Sequence, residues 1–342
     1  MKVLCLWHAT KDEISKIREA LPRGTEIVAP EGDYFSRFES TYQQLEPHAR
    51  DADAFIGWAL PRGLLEIADK LKLLSWLHSG CDDLANIGAF SLFKQRGVKV
   101  ANIRGGNAIA VAEQAMMFVL ALAKKTIFKH QVVAQDGRRL FPLFADEYRS
   151  AMLNGRTIGV IGVGSIGSEI AKRAKGFNMR VLGVRRNKDR PVEHVDSMHG
   201  VDELHSVLAK CDYVVLATPN TKEAFQFFGK AEIAAMKPSA FLINIARGNL
   251  VQEKPLYEAL TSGRLRGYAS DAWQRYEFGR AFPISFLPRL EVHKLPNVVC
   301  SNDQAANADD VLEGYLQWGI ENLVDFATEK PLRREVNLDL GY

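Results

Sequence analysis

Short apolar runs alternate with stretches of helical spacing along almost the entire chain, and this alternation restricts the possible fold more than any other feature. Such alternation is typical of parallel sheets built from strand–helix–strand units. The runs form two series, five in the first hundred residues and six in the second half. They are Val3–Leu6, Glu26–Val28, Ala54–Ile56, Leu73–Trp76 and Val98–Ala101, then Thr157–Ile161, Arg180–Val184, Tyr213–Ala217, Phe241–Ile245, Tyr268–Ser270 and Val298–Ser301. The sequence therefore predicts an α/β protein with two doubly wound sheets.

Length and composition place this chain among ordinary globular proteins. Its 342 residues fit two domains, each long enough to bury a core. Hydrophobic residues make up 47% and charged residues 25%, which excludes a disordered or fibrous chain. The formal net charge of +3 is small for this length. We therefore expect no polyanionic partner such as a nucleic acid.

The cysteine pattern indicates the compartment. The four cysteines lie far apart and form no Cys-x-x-Cys pair, which argues against a disulfide framework and against a zinc site. They are Cys5, Cys81, Cys211 and Cys300. We therefore expect a cytoplasmic protein without a bound metal ion.

One segment between the two series, Ala108–Lys125, has a helical wheel that is apolar on nearly every side. Glu113 and Gln114 interrupt its apolar stretch, so no membrane span is predicted. A helix of this character is usually buried, either beneath a sheet or in a subunit interface, and we therefore expect a homodimer.

No long linker marks a domain boundary. We predict one domain from residues 1–102 and 304–342 and another from residues 103–303, with a cleft between them.

A glycine-rich loop follows the first run of the second series. It reads Gly162-Val163-Gly164-Ser165-Ile166-Gly167, and a helical run begins directly after it. In this context the first glycine allows a tight turn, the second lets the backbone approach a pyrophosphate, and the third lets the helix pack on the strand. The N–H groups at the start of the helix would face the phosphates. We predict that this loop, including Ser165 and Ile166, binds a dinucleotide.

The next run, Arg180–Val184, ends at Arg185 and Arg186. An acidic residue at this strand end would accept hydrogen bonds from the ribose hydroxyls and select NAD. Arginine cannot accept those bonds, but its planar guanidinium matches a 2′-phosphate. We therefore predict a preference for NADP, with NAD as a possible second cofactor, and a solvated basic turn as the alternative.

Several segments resemble the D-2-hydroxyacid dehydrogenase family, in that family's order and spacing, and the resemblance covers nearly the whole chain. The most diagnostic stretch runs from Met236-Lys237-Pro238 to Leu242-Ile243-Asn244-Ile245-Ala246-Arg247-Gly248. The other matching segments are Asn102–Asn107, Ala110–Glu113, Leu216–Thr221, Gly263–Leu265, Ala269–Trp273 and Leu295–Val298.

This resemblance implies two Rossmann-like or flavodoxin-like domains, with NAD(P) bound to the inner one. It also implies hydride transfer between the nicotinamide ring and C2 of a 2-oxo acid or its D-hydroxy product. In the family an arginine binds and polarises the substrate, and a histidine paired with a glutamate supplies or removes the proton. The expected partner is therefore a small 2-oxo or 2-hydroxy acid.

Individual residues match positions of the family. Arg247 matches the arginine, and its guanidinium would hold a carboxylate through two parallel hydrogen bonds. Asp271 matches an aspartate near the nicotinamide, with a turn cap as the alternative. Ser79 and Gly80 resemble a loop whose N–H groups hold the substrate carboxylate, with a plain turn as the alternative. The resemblance also places Thr218, Pro219, Ile245 and Ala246 along the cofactor.

The chain departs from the family at the proton donor. Aligning Pro296-Asn297-Val298 with the family puts Asp303 on the histidine position, and none of the eight histidines falls there. The glutamate position is also shifted, because the family spacing from Arg247 reaches Tyr276. We favour its neighbour Glu277 as the counterpart, with Tyr276 as the alternative.

An aspartate in place of the histidine leaves several interpretations open. A free aspartate has a pKa of about 3.9 and is a poor proton donor at neutral pH, but beside Glu277 it could share one proton and act as an acid. Asp303 could instead be structural and cap the helix that follows.

The leading hypothesis is an NADP-dependent 2-oxo acid reductase. The alternatives are a dinucleotide-binding sensor or scaffold with little turnover and, last, a cofactor-assisted lyase or hydrolase.

Overall fold

The structure, a computed structural model, describes residues 1–32, 37–136, 142, 144–277, 284–286 and 288–342, with the backbone alone at residues 275–277 and 284–286. The chain divides into two compact units. The first comprises Met1–Asn107, the described part of Tyr276–Ile284, and Ala308–Tyr342, and the second comprises Ala108–Arg275 and Ser285–Asn307. Each unit is built on its own parallel sheet.

The strands are short, as is usual for parallel sheets whose crossovers are helices. In chain order they are β1 (Lys2–Cys5), β2 (Glu26–Val28), β3 (Ala54–Gly57), β4 (Leu73–Trp76), β5 (Lys99–Ala101), β6 (Thr157–Ile161), β7 (Arg180–Val184), β8 (Ser197–His199), β9 (Tyr213–Leu216), β10 (Phe241–Asn244), β11 (Gly267–Ser270), β12 (Arg275–Glu277), β13 (Ile284–Phe286) and β14 (Val298–Cys300). Strands β12 and β13 pair with each other only.

Helices connect most of these strands. In chain order they are α1 (Lys11–Ala20), α2 (Tyr42–Ala49), α3 (Leu64–Ile67), α4 (Asp82–Asn86), α5 (Ala89–Arg96), α6 (Ala108–Lys124), α7 (Thr126–Asp136), α8 (Ser165–Gly176), α9 (Leu204–Leu208), α10 (Lys230–Ala235), α11 (Glu253–Thr261) and α12 (Val311–Ala327). Single 3₁₀ turns lie at Asp146–Tyr148, Val201–Glu203, Gly248–Leu250 and Val292–Lys294.

The first unit contains a five-stranded sheet in the order β2-β1-β3-β4-β5, with all neighbours parallel. Successive residues of β1 point to opposite faces, so Leu4 joins one apolar core while Val3 and Cys5 join the other. The C-terminal helix α12 covers the second face. Gly319 allows its close approach, because a Cβ there would lie 2.3 Å from Cδ2 of Leu77.

The second unit contains a seven-stranded sheet in the order β14-β11-β10-β9-β6-β7-β8, again parallel throughout. The chain leaves β6 toward β7 and β8, then returns to the other side through β9, β10 and β11. The order therefore reverses between β6 and β9, and open α/β sheets bind ligands at the carboxyl ends of strands beside such a reversal. The prediction of two doubly wound α/β domains is confirmed.

The apolar helix α6 lies under this second sheet. Ten of its residues are buried, and most of them pack with residues of α8 in one core of the unit. Gln114, one of the two residues that interrupt the apolar stretch, donates from Nε2 to Oγ of Ser301 over 3.0 Å. Burial beneath the sheet accounts for the apolar residues on this face of the helix, while Ile109 and Met117 on the other side are exposed.

All eleven predicted strands occur, and none of their ends is shifted by more than one residue. Strand β8 was not predicted, because its sequence Ser-Met-His is a half-buried edge that needs no apolar run. The pair β12 and β13 also lies outside the pattern of apolar runs.

Candidate functional site

The loops that follow the strands of the second sheet carry its predicted site residues side by side. Because all seven strands are parallel, these loops meet along a single edge, which we call the carboxyl edge. In spatial order they place Asp303 after β14, Asp271 after β11, Ile245–Arg247 after β10, Thr218 and Pro219 after β9, Gly162–Gly167 after β6, and Arg185 and Arg186 after β7. Adjacent strands lie about 4.8 Å apart, so β7 and β10 are separated by about 14 Å.

The three glycines of the loop after β6 meet three different spatial demands. Gly162 has a φ of +100°, and a Cβ there would lie 2.6 Å from the backbone N of Thr218. At Gly167 a Cβ would lie 2.4 Å from the carbonyl oxygen of Gly162 and 3.1 Å from Cγ1 of Val160. Gly162 therefore permits the turn against the β9 loop, and Gly167 permits α8 to pack on β6.

Gly164 differs from both, because nothing lies within 4 Å of a Cβ placed there. It is the N-cap of α8, with extended backbone, and no side chain caps the first turn. Gly164 and Ser165 are exposed. The start of this twelve-residue helix is thus exposed and lacks a side-chain cap, which suits the approach of a pyrophosphate.

The two arginines after β7 behave differently. Arg185 folds back on its own loop, donating from Nε to the carbonyl oxygen of Asn187 over 2.6 Å and from Nη2 to that of Arg190. Arg186 is exposed, and its Nη2 lies 3.9 Å from Oε2 of Glu223, which is also exposed. Arg185 therefore shapes the loop, while Arg186 presents its guanidinium to solvent.

Arg247 is half-buried and follows β10. Its Nη1 donates to the carbonyl oxygen of Ala246 over 3.0 Å. The fully buried Asn244 fixes this loop, because its Oδ1 accepts from N of Ala246 over 3.1 Å and its Nδ2 donates to the carbonyl oxygen of Arg247 over 2.9 Å. The arginine backbone is therefore held on both sides by one side chain.

Gly248 completes the loop after β10. A Cβ there would lie 1.9 Å from the backbone carbon of Trp273, closer than any side chain tolerates. The loops after β10 and β11 therefore pack backbone against backbone, and only glycine fits beside Arg247.

Asp271 is 7% exposed, and its carboxylate organises the loop after β14. Oδ1 accepts hydrogen bonds from the Ser301 hydroxyl and from N of Gln304 over 3.0 Å, while Oδ2 accepts from N of Ala305 over 3.0 Å. Its carbonyl oxygen accepts from N of Asp303 over 2.8 Å. These bonds match the turn-cap alternative for Asp271, and its contact with the cofactor stays a prediction.

Ser301 lies at the centre of this network. Its hydroxyl donates to Asp271 and accepts from Gln114, while its carbonyl oxygen accepts from Nε1 of Trp273 over 2.7 Å. Since Trp273 is fully buried, the indole and the carboxylate together hold the start of the loop after β14 against the end of β11.

Asp303 is exposed and follows β14 by three residues. Its φ is +52°, a left-handed conformation that short polar side chains such as aspartate tolerate better than most. The hydrogen bonds from residues 303, 304 and 305 to Asp271 hold this turn in place. Asp303, which aligns with the histidine of the family, thus lies on the same edge as Arg247.

In the first unit, the loop after β4 carries Ser79 and Gly80, both half-buried. The Ser79 hydroxyl donates to Oδ1 of Asn107 over 2.9 Å, and its carbonyl oxygen accepts from Nδ2 of the buried Asn102 over 2.9 Å. Burial raises the pKa of nearby Tyr315 to about 12, with a side-chain hydrogen bond to Asn107 opposing the shift. These contacts hold the Ser79 loop against the segment that follows β5.

Two other predictions concern residues of which the structure describes the backbone only. Glu277 and its alternative Tyr276 belong to β12, and their side chains lie outside the described residues. Both therefore stay predictions.

The part of the chain that the structure describes contains no cluster of three His, Cys, Asp or Glu side chains able to hold a metal ion. In that same part, every helix falls short of the length and apolar character that a bilayer crossing requires.

A family model for the NAD-binding domain of D-isomer-specific 2-hydroxyacid dehydrogenases matches residues 116–302. This range contains the loops of the carboxyl edge, apart from the last residues of the loop after β14. The chain belongs to this family. The resemblance noted from the motifs is confirmed, and with it membership in a family of oxidoreductases that bind a nicotinamide cofactor.

Among its relatives are other D-isomer-specific 2-hydroxyacid dehydrogenases. The chain is 30% identical over 308 residues to D-3-phosphoglycerate dehydrogenase of Methanocaldococcus jannaschii, covering 85% of this chain and 55% of that protein. It is 30% identical over 288 residues to glyoxylate reductase of Korarchaeum cryptofilum, covering 81% of this chain and 80% of the relative. The chain thus spans about half the length of the phosphoglycerate dehydrogenases it matches.

Solved structures confirm the fold of the D-isomer-specific 2-hydroxyacid dehydrogenases. An acyclic imino acid reductase in complex with NADPH and D-Arg superposes with a TM-score of 0.78 at 22% identity, covering 98% of this chain and 100% of that one. D-lactate dehydrogenase from Aquifex aeolicus complexed with NAD and lactic acid superposes with a TM-score of 0.72 at 22% identity, covering 96% of each chain.

Three polar residues of this family member were not singled out from the sequence, yet they hold the site. They are Asn244, Ser301 and Gln114. A signal existed for two of them. Asn244 ends a strand that is otherwise apolar, and Gln114 lies within the most apolar helix. Ser301 had no comparable signal, because a serine after a strand is ordinary turn chemistry.

Proposed function

We propose that this protein is an NADP(H)-dependent oxidoreductase acting on a small 2-oxo or 2-hydroxy acid. The observation that carries the proposal is the placement of Arg247 and the glycine loop on one carboxyl edge, on either side of the point where strand order reverses. Membership in the D-isomer-specific 2-hydroxyacid dehydrogenase family supports it.

The chain's own residues fit a dinucleotide. The open space at Gly164 accommodates a pyrophosphate near the start of α8, and the exposed Arg186 accommodates a phosphate at the end of β7. Thr218, Pro219, Ile245 and Ala246 would then line the cofactor between the phosphates and Arg247. When bound, the nicotinamide cofactor supplies or accepts the hydride.

Arg247 would bind the substrate. A guanidinium stays charged at any physiological pH, grips a carboxylate through two parallel hydrogen bonds, and stabilises negative charge on a neighbouring oxygen. Ser79 and Gly80 would bind a substrate carboxylate through backbone N–H groups, and Glu277 and Asp303 would hold or move the proton.

The preference for NADP gives a direct test. We expect Arg186→Ala to weaken NADPH binding about 10-fold to 100-fold, because one or two charge-assisted hydrogen bonds to the 2′-phosphate are lost. NADH binding should be unchanged, since NADH lacks that phosphate. Equilibrium titration of the cofactor's fluorescence measures both affinities.

The matched control is Glu223→Gln, which removes a carboxylate 3.9 Å from Arg186 but keeps the side-chain volume. It should leave NADPH binding equal or slightly tighter. Equal losses of NADPH and NADH affinity in Arg186→Ala would contradict the preference for NADP.

The activity itself is tested by following NADPH absorbance with a panel of small and aromatic 2-oxo acids. We expect NADPH oxidation that requires the organic acid. If the protein binds neither NADPH nor NADH, the proposed function fails.

One observation favours a second candidate, a dinucleotide-binding sensor or scaffold with little turnover. Asp303 occupies the position at which the family resemblance expects a histidine. Tight NADPH binding without oxidation of the cofactor by any 2-oxo acid would support this candidate.

We also propose a cytoplasmic homodimer. The apolar helix α6 buries one face in the core of its unit, yet Ile109 is 58% exposed and Met117 is 43% exposed. Such side chains become buried when two copies pack together.

A further inference from the structure

The edge strand β8 and the turn after it carry three hydrogen-bonded side chains that the proposed function does not use. The Ser197 hydroxyl lies 2.8 Å from Nε2 of His199, and Nδ1 of His199 lies 3.2 Å from Oε1 of Glu203. All three residues are half-buried, so solvent still reaches them. A hydroxyl, an imidazole and a carboxylate are thus joined in the order that nucleophilic catalysis uses.

The strand itself brings the serine and the histidine together. Ser197 and His199 are two residues apart on β8, so their side chains lie on the same face of the sheet. Met198 between them belongs to the opposite face, where it packs against the core that contains residues of α6 and α8. The contact between the hydroxyl and the imidazole therefore follows from the two-residue repeat of a β-strand.

Glu203 meets the histidine because the chain turns directly after β8. Its N–H donates to the carbonyl oxygen of Gly200 over 3.1 Å, and its Oε2 accepts from N of Gly200 and from Nζ of Lys188, both over 2.9 Å. The bond from the backbone of Gly200, followed by those from Lys188 and His199, lowers the pKa of Glu203 to about 2. This carboxylate is therefore ionised at neutral pH and only accepts hydrogen bonds.

An ionised carboxylate decides which nitrogen of the imidazole carries the proton. Because Glu203 only accepts, Nδ1 of His199 must be the donor, which leaves Nε2 of the neutral ring as an acceptor. The Ser197 hydroxyl then donates to Nε2. The imidazole is therefore placed to take this proton when the serine oxygen attacks an electrophile.

The position of β8 at the end of the sheet adds a donor for negative charge. Among the described strands, β7 is the one that pairs with it. Asp196, directly before β8, donates its N–H to the carbonyl oxygen of Val181 on β7 over 2.9 Å, and N–H directions alternate along a strand. The N–H of Ser197 therefore points away from β7, where it can stabilise an oxyanion formed at the serine.

We propose that Ser197, His199 and Glu203 form a second catalytic site, which hydrolyses small carboxylic esters through an acyl-serine. Ser197 is the nucleophile, His199 is the general base and acid, and Glu203 is a positioning residue that fixes the imidazole. A small acyl group suits this site, because a half-buried hydroxyl leaves little room around the reacting carbon.

Both steps of the reaction balance with water as the second reactant. In the first, Oγ of Ser197 bonds to the carbonyl carbon, its proton passes to Nε2 of His199, and the C–O bond to the alcohol breaks as the alcohol takes that proton. In the second, water attacks the acyl-serine, its proton passes through Nε2 to the serine oxygen, and a carboxylic acid leaves. Neither step uses a nicotinamide cofactor, so this activity is independent of the proposed function.

The first experiment labels the nucleophile. A fluorophosphonate forms a Ser–O–P bond with an activated serine and releases fluoride, and mass spectrometry of the tryptic peptides locates that bond. We expect the label on Ser197, at a rate about 100-fold lower in His199→Gln, because the base that takes the proton is removed. An unlabelled Ser197, or equal labelling rates in the wild type and in His199→Gln, overturns the inference.

The matched control for the histidine is His205→Gln. The imidazole of His205 also meets a carboxylate, with Nε2 3.0 Å from Oε1 of Glu232, but it takes no part in the hydrogen bonds of Ser197. This variant should leave the labelling rate of Ser197 unchanged. A loss as large as that in His199→Gln would contradict the role of His199 as the base.

The second experiment measures turnover of p-nitrophenyl acetate by the release of p-nitrophenol. We expect Ser197→Ala to lower the rate above background at least about tenfold and to keep the melting temperature of the wild type. The matched control, Ser262→Ala, removes a hydroxyl that donates to the carbonyl oxygen of Glu258 over 2.7 Å, and it should keep the full rate. Hydrolysis by Ser197→Ala at the wild-type rate contradicts the assignment, whether or not the protein oxidises NADPH.

Discussion

Replacing Arg247 with alanine is expected to lower kcat/KM for the best 2-oxo acid about 10³-fold, the loss found when one donor that stabilises developing negative charge is removed. The side chain is half-buried at the end of β10, and its backbone is fixed by Asn244. NADPH affinity should change little, because the glycine loop and Arg186 lie on other strands. Steady-state kinetics and cofactor titration separate the two effects.

Arg264 provides a matched control for this variant. It is also half-buried, but it precedes β11 at the opposite edge of the sheet, where Nη2 donates to the carbonyl oxygens of Ala234 and Met236 over 2.7 and 2.6 Å. Arg264→Ala should lower the melting temperature and leave kcat/KM within a few-fold of the wild type, since no substrate group reaches it. Comparable losses of kcat/KM in both variants would show that Arg247 supports activity by stabilising the fold and not by binding the substrate.

Two glycines of the loop after β6, Gly164 and Gly167, should give opposite results when each is replaced with alanine. Gly164→Ala adds a methyl group to open space, so the free energy of unfolding should fall by less than about 1 kcal/mol, the difference between glycine and alanine at an N-cap. NADPH binding should weaken at least about tenfold, because the backbone can no longer approach the pyrophosphate closely. Thermal unfolding without cofactor and fluorescence titration measure the two quantities.

Gly167→Ala should do the reverse. The new Cβ would lie 2.4 Å from a backbone oxygen, so α8 must shift from β6, and we expect a loss of about 1–3 kcal/mol in the free energy of unfolding. The control is Gly176→Ala at the end of the same helix, where nothing lies within 4 Å of a Cβ. That variant should keep both stability and affinity. If Gly164→Ala destabilises the apoprotein as much as Gly167→Ala does, the separate roles of the two glycines are wrong.

Apolar runs and glycine spacing allowed much of the fold to be predicted. Buried parallel strands must be apolar on both faces, so β6 and β10 stand out as continuous runs. The glycine loop could also be predicted from a short stretch of sequence, because its turn and the start of its helix lie within six residues. The match of its segments to a family of known mechanism added Arg247 and the position of Asp303.

Other features of the site depend on partners far away in the chain. The Asp271 carboxylate meets groups 30 to 34 residues later, and Gly248 is required by the backbone of Trp273. The spacing of residues along the sequence cannot reveal such contacts. Whether two distant residues meet is set by how neighbouring strands align in the sheet.

The amino-acid sequence by itself determined that two parallel sheets form, that a glycine-rich turn joins β6 to α8, and that a carboxylate stands at position 303. These properties follow from hydrophobic periodicity and from the backbone freedom of glycine, both of which act over short stretches. Only the tertiary structure decided that Arg247, Asp271 and Asp303 share one edge, and that the carboxylate of Asp271 is bound to the loop carrying Asp303. The order of strands across a sheet and the backbone groups that each side chain meets arise from packing between distant segments.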